Sequence, residues 1–189
     1  MAQLVVSQFI TVDGVVEDPG GSEKFERGGW AFQFERGQEG DKFKLDELMA
    51  SDALLLGRTT YEGFAEAWPG RTDEAGFADK MNAMKKYVVS STLTDPAWEN
   101  SEVLGPDLQA EVERIKAEPG GDILVAGSVR LVQGLLARDL VDELRLMTFP
   151  IVLGSGKRLF GQAEEPIGFE LASAQPLNSG TVILTYRRP

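Results

Sequence analysis

A guanidinium stands where an apolar run meets a hydroxyl-rich stretch: Gly57-Arg58-Thr59-Thr60 directly follows Ala53-Leu54-Leu55-Leu56. Read as strand, tight turn and helix, this junction sets unpaired backbone N–H groups and a partial positive charge beside Arg58, the makings of a phosphate site. The alternative reading is a well-capped connection, because Thr59 with Glu62 fits a capping box. Gly127-Ser128-Val129 repeats the pattern after Asp122-Ile123-Leu124-Val125-Ala126. Gly127 lets backbone approach a pyrophosphate, and Ser128 can cap the next helix or bond an oxygen. Neither junction is a G-x-G-x-x-G fingerprint. Ser90 and Ser91 close a third apolar run, where hydroxyls can donate to a phosphate or simply form a turn. Asp13 follows a β-branched run and precedes Gly14, either as a ligand-facing acid or as a turn former. Gly154-Ser155-Gly156-Lys157-Arg158 is basic and glycine-rich without the P-loop spacing. There Lys157 or Arg158 could meet a ligand phosphate or carboxylate, the alternative being a solvated hairpin.

The inventory narrows the chemistry further. The chain of 189 residues has no cysteine and no histidine. Disulfides, thiolate metal sites, serine–histidine triads and imidazole acid–base catalysis are therefore excluded, and no metal site is expected. Carboxylates, lysines, tyrosines and water remain as proton carriers. Hydride transfer suits such a set, because a cofactor carries the difficult step. Nineteen Lys and Arg stand against 30 Asp and Glu, for a formal charge of −11, which argues against a nucleic acid or an anionic membrane as partner. The beginning of the chain lacks a basic segment followed by a long apolar run, and nowhere do 18 apolar residues run together. A cytoplasmic protein of one domain, residues 1–189, is the expectation.

The elements that must position these groups alternate. Residues 3–10 read as a central strand and residues 17–40 as a long loop with Phe25, Trp30, Phe32 and Phe34. A loop of that length suits a lid, its aromatics covering a flat substrate or pinning the loop to the core. Residues 41–51 read as a helix feeding the strand before Gly57. A helix from Thr60 to about Trp68, a short helix over 77–83, a strand over 85–93 and a helix through Leu108, Val112 and Ile115 follow. The strand ending at Gly127, the apolar helix 129–137 and a strand over 141–151 come next. A hairpin of residues 169–175 and 181–187 turns around Asn178-Ser179-Gly180. Such alternation predicts an α/β domain with a mostly parallel sheet, helices on its faces and an antiparallel C-terminal hairpin.

The stretch LLLGRTTYEGF resembles the cofactor-binding turn of the dihydrofolate reductase-like fold. The version it resembles is the C-terminal reductase domain of riboflavin-pathway deaminase-reductases and their stand-alone relatives. TVDG, KYVVSSTL, GGDILVAGS and VDELRLMTFPIVLGSGKRLF keep the same order and spacing over nearly the whole chain. The resemblance implies an NADPH-dependent reductase of a small heterocycle that forms a homodimer. It implies that Gly57, Arg58, Thr59 and Thr60, Ser90 and Ser91, and Ala126, Gly127, Ser128 and Val129 hold the NADPH. It also implies Asp13 as the residue that orients substrate or relays a proton through water. Trp30, Asp41, Phe43, Thr148, Lys157 and Arg158 would contact substrate, with Lys44 beside them on the pocket wall. Two departures are visible: Val129 stands where many relatives have a smaller residue, and Phe149 where they often have histidine. No deaminase part is present, so only the reductive half of the bifunctional reaction is expected. A ribosylaminopyrimidine phosphate is the first substrate implied. Dihydrofolate or another pteridine, and a non-catalytic NADP-binding module, are the alternatives.

Overall fold

Eight strands form one sheet, in the order β4-β3-β2-β5-β1-β6-β8-β7, in the computed structural model, which describes residues 1–161 and 165–189. They are β1 (Leu4–Thr11), β2 (Ser51–Gly57), β3 (Lys85–Val89), β4 (Ser101–Val103), β5 (Asp122–Val125), β6 (Glu143–Phe149), β7 (Glu170–Pro176) and β8 (Val182–Arg187). From β4 to β6 all pairings are parallel, and β8 and β7 add an antiparallel edge. Five helices cover the faces: α1 (Gly37–Ala50), α2 (Arg58–Ala67), α3 (Phe77–Ala83), α4 (Leu108–Ala117) and α5 (Val129–Leu136). The expected fold class is the observed one.

The middle of β2 is apolar on both sides because both sides are covered. Leu55 joins a core with Val112 and Ile115 of α4 and Leu131, Val132 and Leu135 of α5. Its neighbours Leu54 and Leu56 face the other way, onto Leu48 of α1, Tyr61 of α2 and Met81 of α3. Each such leucine contributes about 1.5–3 kcal/mol by leaving water. Three buried apolar residues in succession therefore fix β2 in the sheet interior, and the ends of β2 follow from that. Among the described residues, no helix is long and apolar enough to cross a membrane.

The local signals shifted in three places. α1 begins at Gly37 rather than Asp41, with Gly40 packed inside its first turns, where a Cβ would stand 2.6 Å from Arg36 Cβ and 3.1 Å from Leu177 Cδ1. The capping box does not form. Gly57 is the N-cap of α2 and Thr59 already lies inside the helix, while Glu62 reaches back to Arg58 across 3.7 Å. β4, three residues long, carries no periodic signal in the sequence and forms only because β3 offers it an edge.

Candidate functional site

Parallel strands end together. The carboxyl ends of β3, β2, β5, β1 and β6 lie side by side and bring Ser90, Gly57, Gly127, Asp13 and Phe149 to one edge in that order. Ligand sites of open α/β sheets lie at such an edge. At its centre the two glycine-to-helix junctions abut. Gly57 N donates to Gly127 O at 3.3 Å. A Cβ on Gly57 would overlap the Ser128 hydroxyl, and one on Gly127, whose φ is +132°, would come within 2.8 Å of Thr60 Oγ1. The Gly127–Ser128 peptide is cis. Each glycine thus leaves room for the hydroxyl of the other junction, Ser128 over Gly57 and Thr60 over Gly127, and Gly127 also holds a left-handed φ.

Neither helix start is capped by a side chain. Gly57 has none, and Ser128, in the N-cap position of α5, makes no capping bond. The first-turn N–H groups of α2 and α5 therefore remain available to an anion from two adjacent helices. Thr59 is exposed, while Ala126 and Val129 are half-buried and packed on opposite sides of the sheet. Arg58 extends to the end of β3, where its Nη1 donates to Thr92 Oγ1 at 2.7 Å. Ser90 Oγ accepts from Thr92 N (3.2 Å) and Leu93 N (3.0 Å), making the serine–threonine turn, and Ser91 is exposed beside it. Thr92 is the hydroxyl that sequence reasoning missed. It lies in the same KYVVSSTL stretch, one residue beyond the two serines singled out.

Asp13 is held from several sides. Its carboxylate accepts from Thr11 Oγ1 (2.6 Å), Gly154 N (2.9 Å) and Leu153 N (3.1 Å), with Arg158 Nη2 at 3.6 Å. The Thr11 hydroxyl and then the two backbone donors bring its pKa down to about 2, outweighing the opposing effect of desolvation. Asp13 is therefore ionised throughout the neutral range and has no proton to give there. A depressed carboxylate stabilises the fold above its unfolded pKa and loses that contribution as pH falls through its folded value. Asp13→Asn should accordingly melt below the parent at pH 7, and the gap should narrow between about pH 4 and pH 2. Thermal melts at matched ionic strength check this; a gap independent of pH would refute it.

Lys157 and Arg158 are engaged as well. Lys157 Nζ pairs with Glu17 Oε1 at 2.6 Å, and Lys157 N donates to Glu17 Oε2 at 2.9 Å. The Lys157 ammonium, by hydrogen bond first, holds the Glu17 carboxyl below its ordinary range. Trp30 is wholly buried: its Nε1 donates to Glu17 O at 2.8 Å, and its ring meets Phe149 edge-on with centroids 5.4 Å apart. Of the two roles open to the loop aromatics, Trp30 therefore takes that of anchor, and the exposed ring is Phe32. The loop is also wound around Asp18, whose carboxylate accepts from Glu23 N and Phe25 N.

The remaining candidates spread along α1 and β6. Asp41 is exposed and paired with Arg36 at 2.9 Å, and Phe43 packs on the cluster of Trp30, Met147 and Phe149. Lys44 donates to Ser7 Oγ at 3.0 Å and pairs with the buried Glu47, joining α1 to the sheet. Thr148 is half-buried, and strand alternation sends it to the sheet face opposite Phe149. Phe149 itself is fully buried among Phe9, Trp30 and Phe34, so here the aromatic side chain fills core. Beyond the end of β6, a cavity of about 700 Å³ opens between the start of α1 and the β7–β8 turn, lined by Phe34, Arg36, Gln38, Glu39, Asn178 and Ser179. Among the described residues there is no cluster of carboxylates fit to hold a metal.

Residues 2–183 match the RibD C-terminal domain. The uncharacterized protein YyaP of Bacillus subtilis is 27% identical over 188 residues, covering 97% of this chain and 94% of its own. The uncharacterized protein YwjB of the same organism is 30% identical over 151 residues, covering 80% and 78%. Among solved structures, a putative riboflavin biosynthesis protein from Shewanella sp. PV-4 superposes with a TM-score of 0.79 at 23% identity, covering 100% of this chain and 99% of that one. A pyrimidine reductase-like protein from Corynebacterium diphtheriae gives 0.68 at 14% identity, covering 98% and 91%. Acinetobacter baumannii RibD gives 0.65 at 16% identity, and this chain spans 58% of its length.

Proposed function

Because this chain belongs to the RibD C-terminal domain family, we propose that it is an NADPH-dependent reductase of a small nitrogen heterocycle of the aminopyrimidine or pteridine kind. One observation carries the reading: two uncapped helix starts meet through the Gly57 to Gly127 hydrogen bond, with Arg58 stretched toward the hydroxyls at the end of β3. The site fits a phosphorylated dinucleotide. The first-turn N–H groups of α2 and α5 would hold the pyrophosphate, and Arg58 with Thr92 and Ser90 would hold a ribose 2′-phosphate. An arginine among hydroxyls favours the phosphorylated nicotinamide cofactor over the plain one.

When bound, NADPH supplies the hydride that adds to the electron-poor carbon of a C=N or C=O bond, and a water proton completes the new N–H or O–H. The chain's own part is to position. Gly57 and Gly127 let the two helix starts lie against each other, with only the Ser128 and Thr60 hydroxyls between them. Asp13 fixes the end of β1 to the 153–158 loop as a carboxylate ionised at neutral pH, so it acts by orientation and leaves proton supply to water. Holding donor and acceptor carbons at about 3–3.5 Å is the larger share of such catalysis.

The test is direct. Saturating NADPH should raise the melting temperature by roughly 5 °C or more, and NADPH should be oxidised when ribosylaminopyrimidines or dihydropteridines are supplied. Unchanged melting would sink the nucleotide assignment. Tight NADPH binding with no turnover of either class would instead leave a nucleotide-binding module.

A further inference from the structure

The 153–158 loop has the parts of an anion site: two glycines, backbone N–H groups turned inward, a lysine and an arginine. Three of those N–H groups and both side chains already have an anion. Leu153 N and Gly154 N go to Asp13, and Lys157 N goes to Glu17. Lys157 Nζ is paired with Glu17 and Arg158 with Asp13. The nearby cations repeat the pattern: Arg36 is paired with Asp41, and Lys44 with Glu47. The cavity beside α1 carries Glu35 and Glu39 against its single Arg36. Arg27, exposed on the long loop, donates to the Leu153 carbonyl and offers one cation where a phosphate needs several convergent donors.

We infer that the reducible substrate carries no phosphate on the side that meets β1 and the 153–158 loop. The protein's own Asp13 and Glu17 occupy the place where a substrate phosphate would be cradled, and they make this a site for a neutral heterocycle or nucleoside. The inference rests on the reductase reading and narrows its substrate class. A phosphate brought here would have to displace two carboxylates that are bonded to backbone as well as to side chains. Left in place, those carboxylates would repel it. Glu17 is therefore a specificity-determining residue, acting by occupying Lys157.

Two measurements decide it. The first compares kcat/KM, in phosphate-free buffer with NADPH, for a ribosylaminopyrimidine and for the same compound bearing its 5′-phosphate. The dephosphorylated form should be reduced at least as efficiently; a preference of roughly 10-fold or more for the phosphorylated form overturns the inference while upholding the reductase. The second does not depend on turnover: ribose 5-phosphate is titrated calorimetrically into protein saturated with NADPH, so that the nucleotide site is filled. Wild-type protein should show no binding at millimolar ligand, whereas Glu17→Gln, with Lys157 released, should bind with a Kd roughly 10-fold or more below the highest concentration titrated. Binding to the wild type that Lys157→Ala abolishes overturns the inference. Failure of the reductase reading looks different: neither heterocycle is consumed, while ribose 5-phosphate is still excluded from the loop.

Discussion

Trp30→Ala is expected to destabilise the protein by about 3–5 kcal/mol, lowering the melting temperature by roughly 10 °C or more. The indole is wholly buried, packs edge-on against Phe149 and donates to the Glu17 carbonyl. Removing it opens a large cavity and leaves that carbonyl short of a donor. The loss should also reach the site, since Glu17 carries the Trp30 bond on its backbone and Lys157 on its side chain. Phe32 is the internal comparison: it lies two residues away but is 77% exposed, and its replacement by alanine should change stability by about 0.5 kcal/mol or less. Thermal and denaturant melts of both variants measure the contrast. If Trp30→Ala melts within about 2 °C of the parent, the anchoring role is wrong and the indole must be free to serve a ligand.

Arg58→Ala carries the largest expected effect on ligand binding. A guanidinium half-exposed at the mouth of β3 is not needed for folding, and its ion pair with Glu62, at 3.7 Å, contributes little to stability. Facing a phosphate dianion, the same group is worth about 1.5–3 kcal/mol per charge-assisted hydrogen bond. NADPH should therefore bind roughly 10- to 100-fold more weakly to the variant, with the melting curve of the free protein nearly unchanged. NADH, lacking the 2′-phosphate, should bind parent and variant alike. Equal affinity of both proteins for NADPH would remove Arg58 from the nucleotide site. An equal loss for NADPH and NADH would place the guanidinium on another phosphate.

Much of the fold was legible because it depends on local patterns. The apolar run before Gly57 must be a doubly covered strand, and helices over 77–83 and from Leu108 follow from period and composition. The capping box of Thr59 and Glu62 misled because two spacings fit the same residues; burial of Leu54, Leu55 and Leu56 set where β2 ends, and α2 started at once. Glu17 and Thr92 were missed for another reason. Glu17 sits in no recognisable pattern, Thr92 stands one residue past the serines of its motif, and each acquires meaning from a partner far along the chain: Lys157 for Glu17, Arg58 for Thr92.

The amino-acid order by itself determined the chemistry that was possible. With no cysteine or histidine, carboxylates, lysines, tyrosines and water are left as proton carriers, and glycines before helices mark where backbone can meet phosphate. Those are properties of residue type and near neighbours. Tertiary structure alone decided which charges remain free. Asp13 and Lys157 look available in the sequence, yet 140 positions separate each from a group that engages it: Leu153 for Asp13 and Glu17 for Lys157. Pairing over that distance depends on how β1 and β6 lie side by side, since a charge interacts through space rather than along the chain.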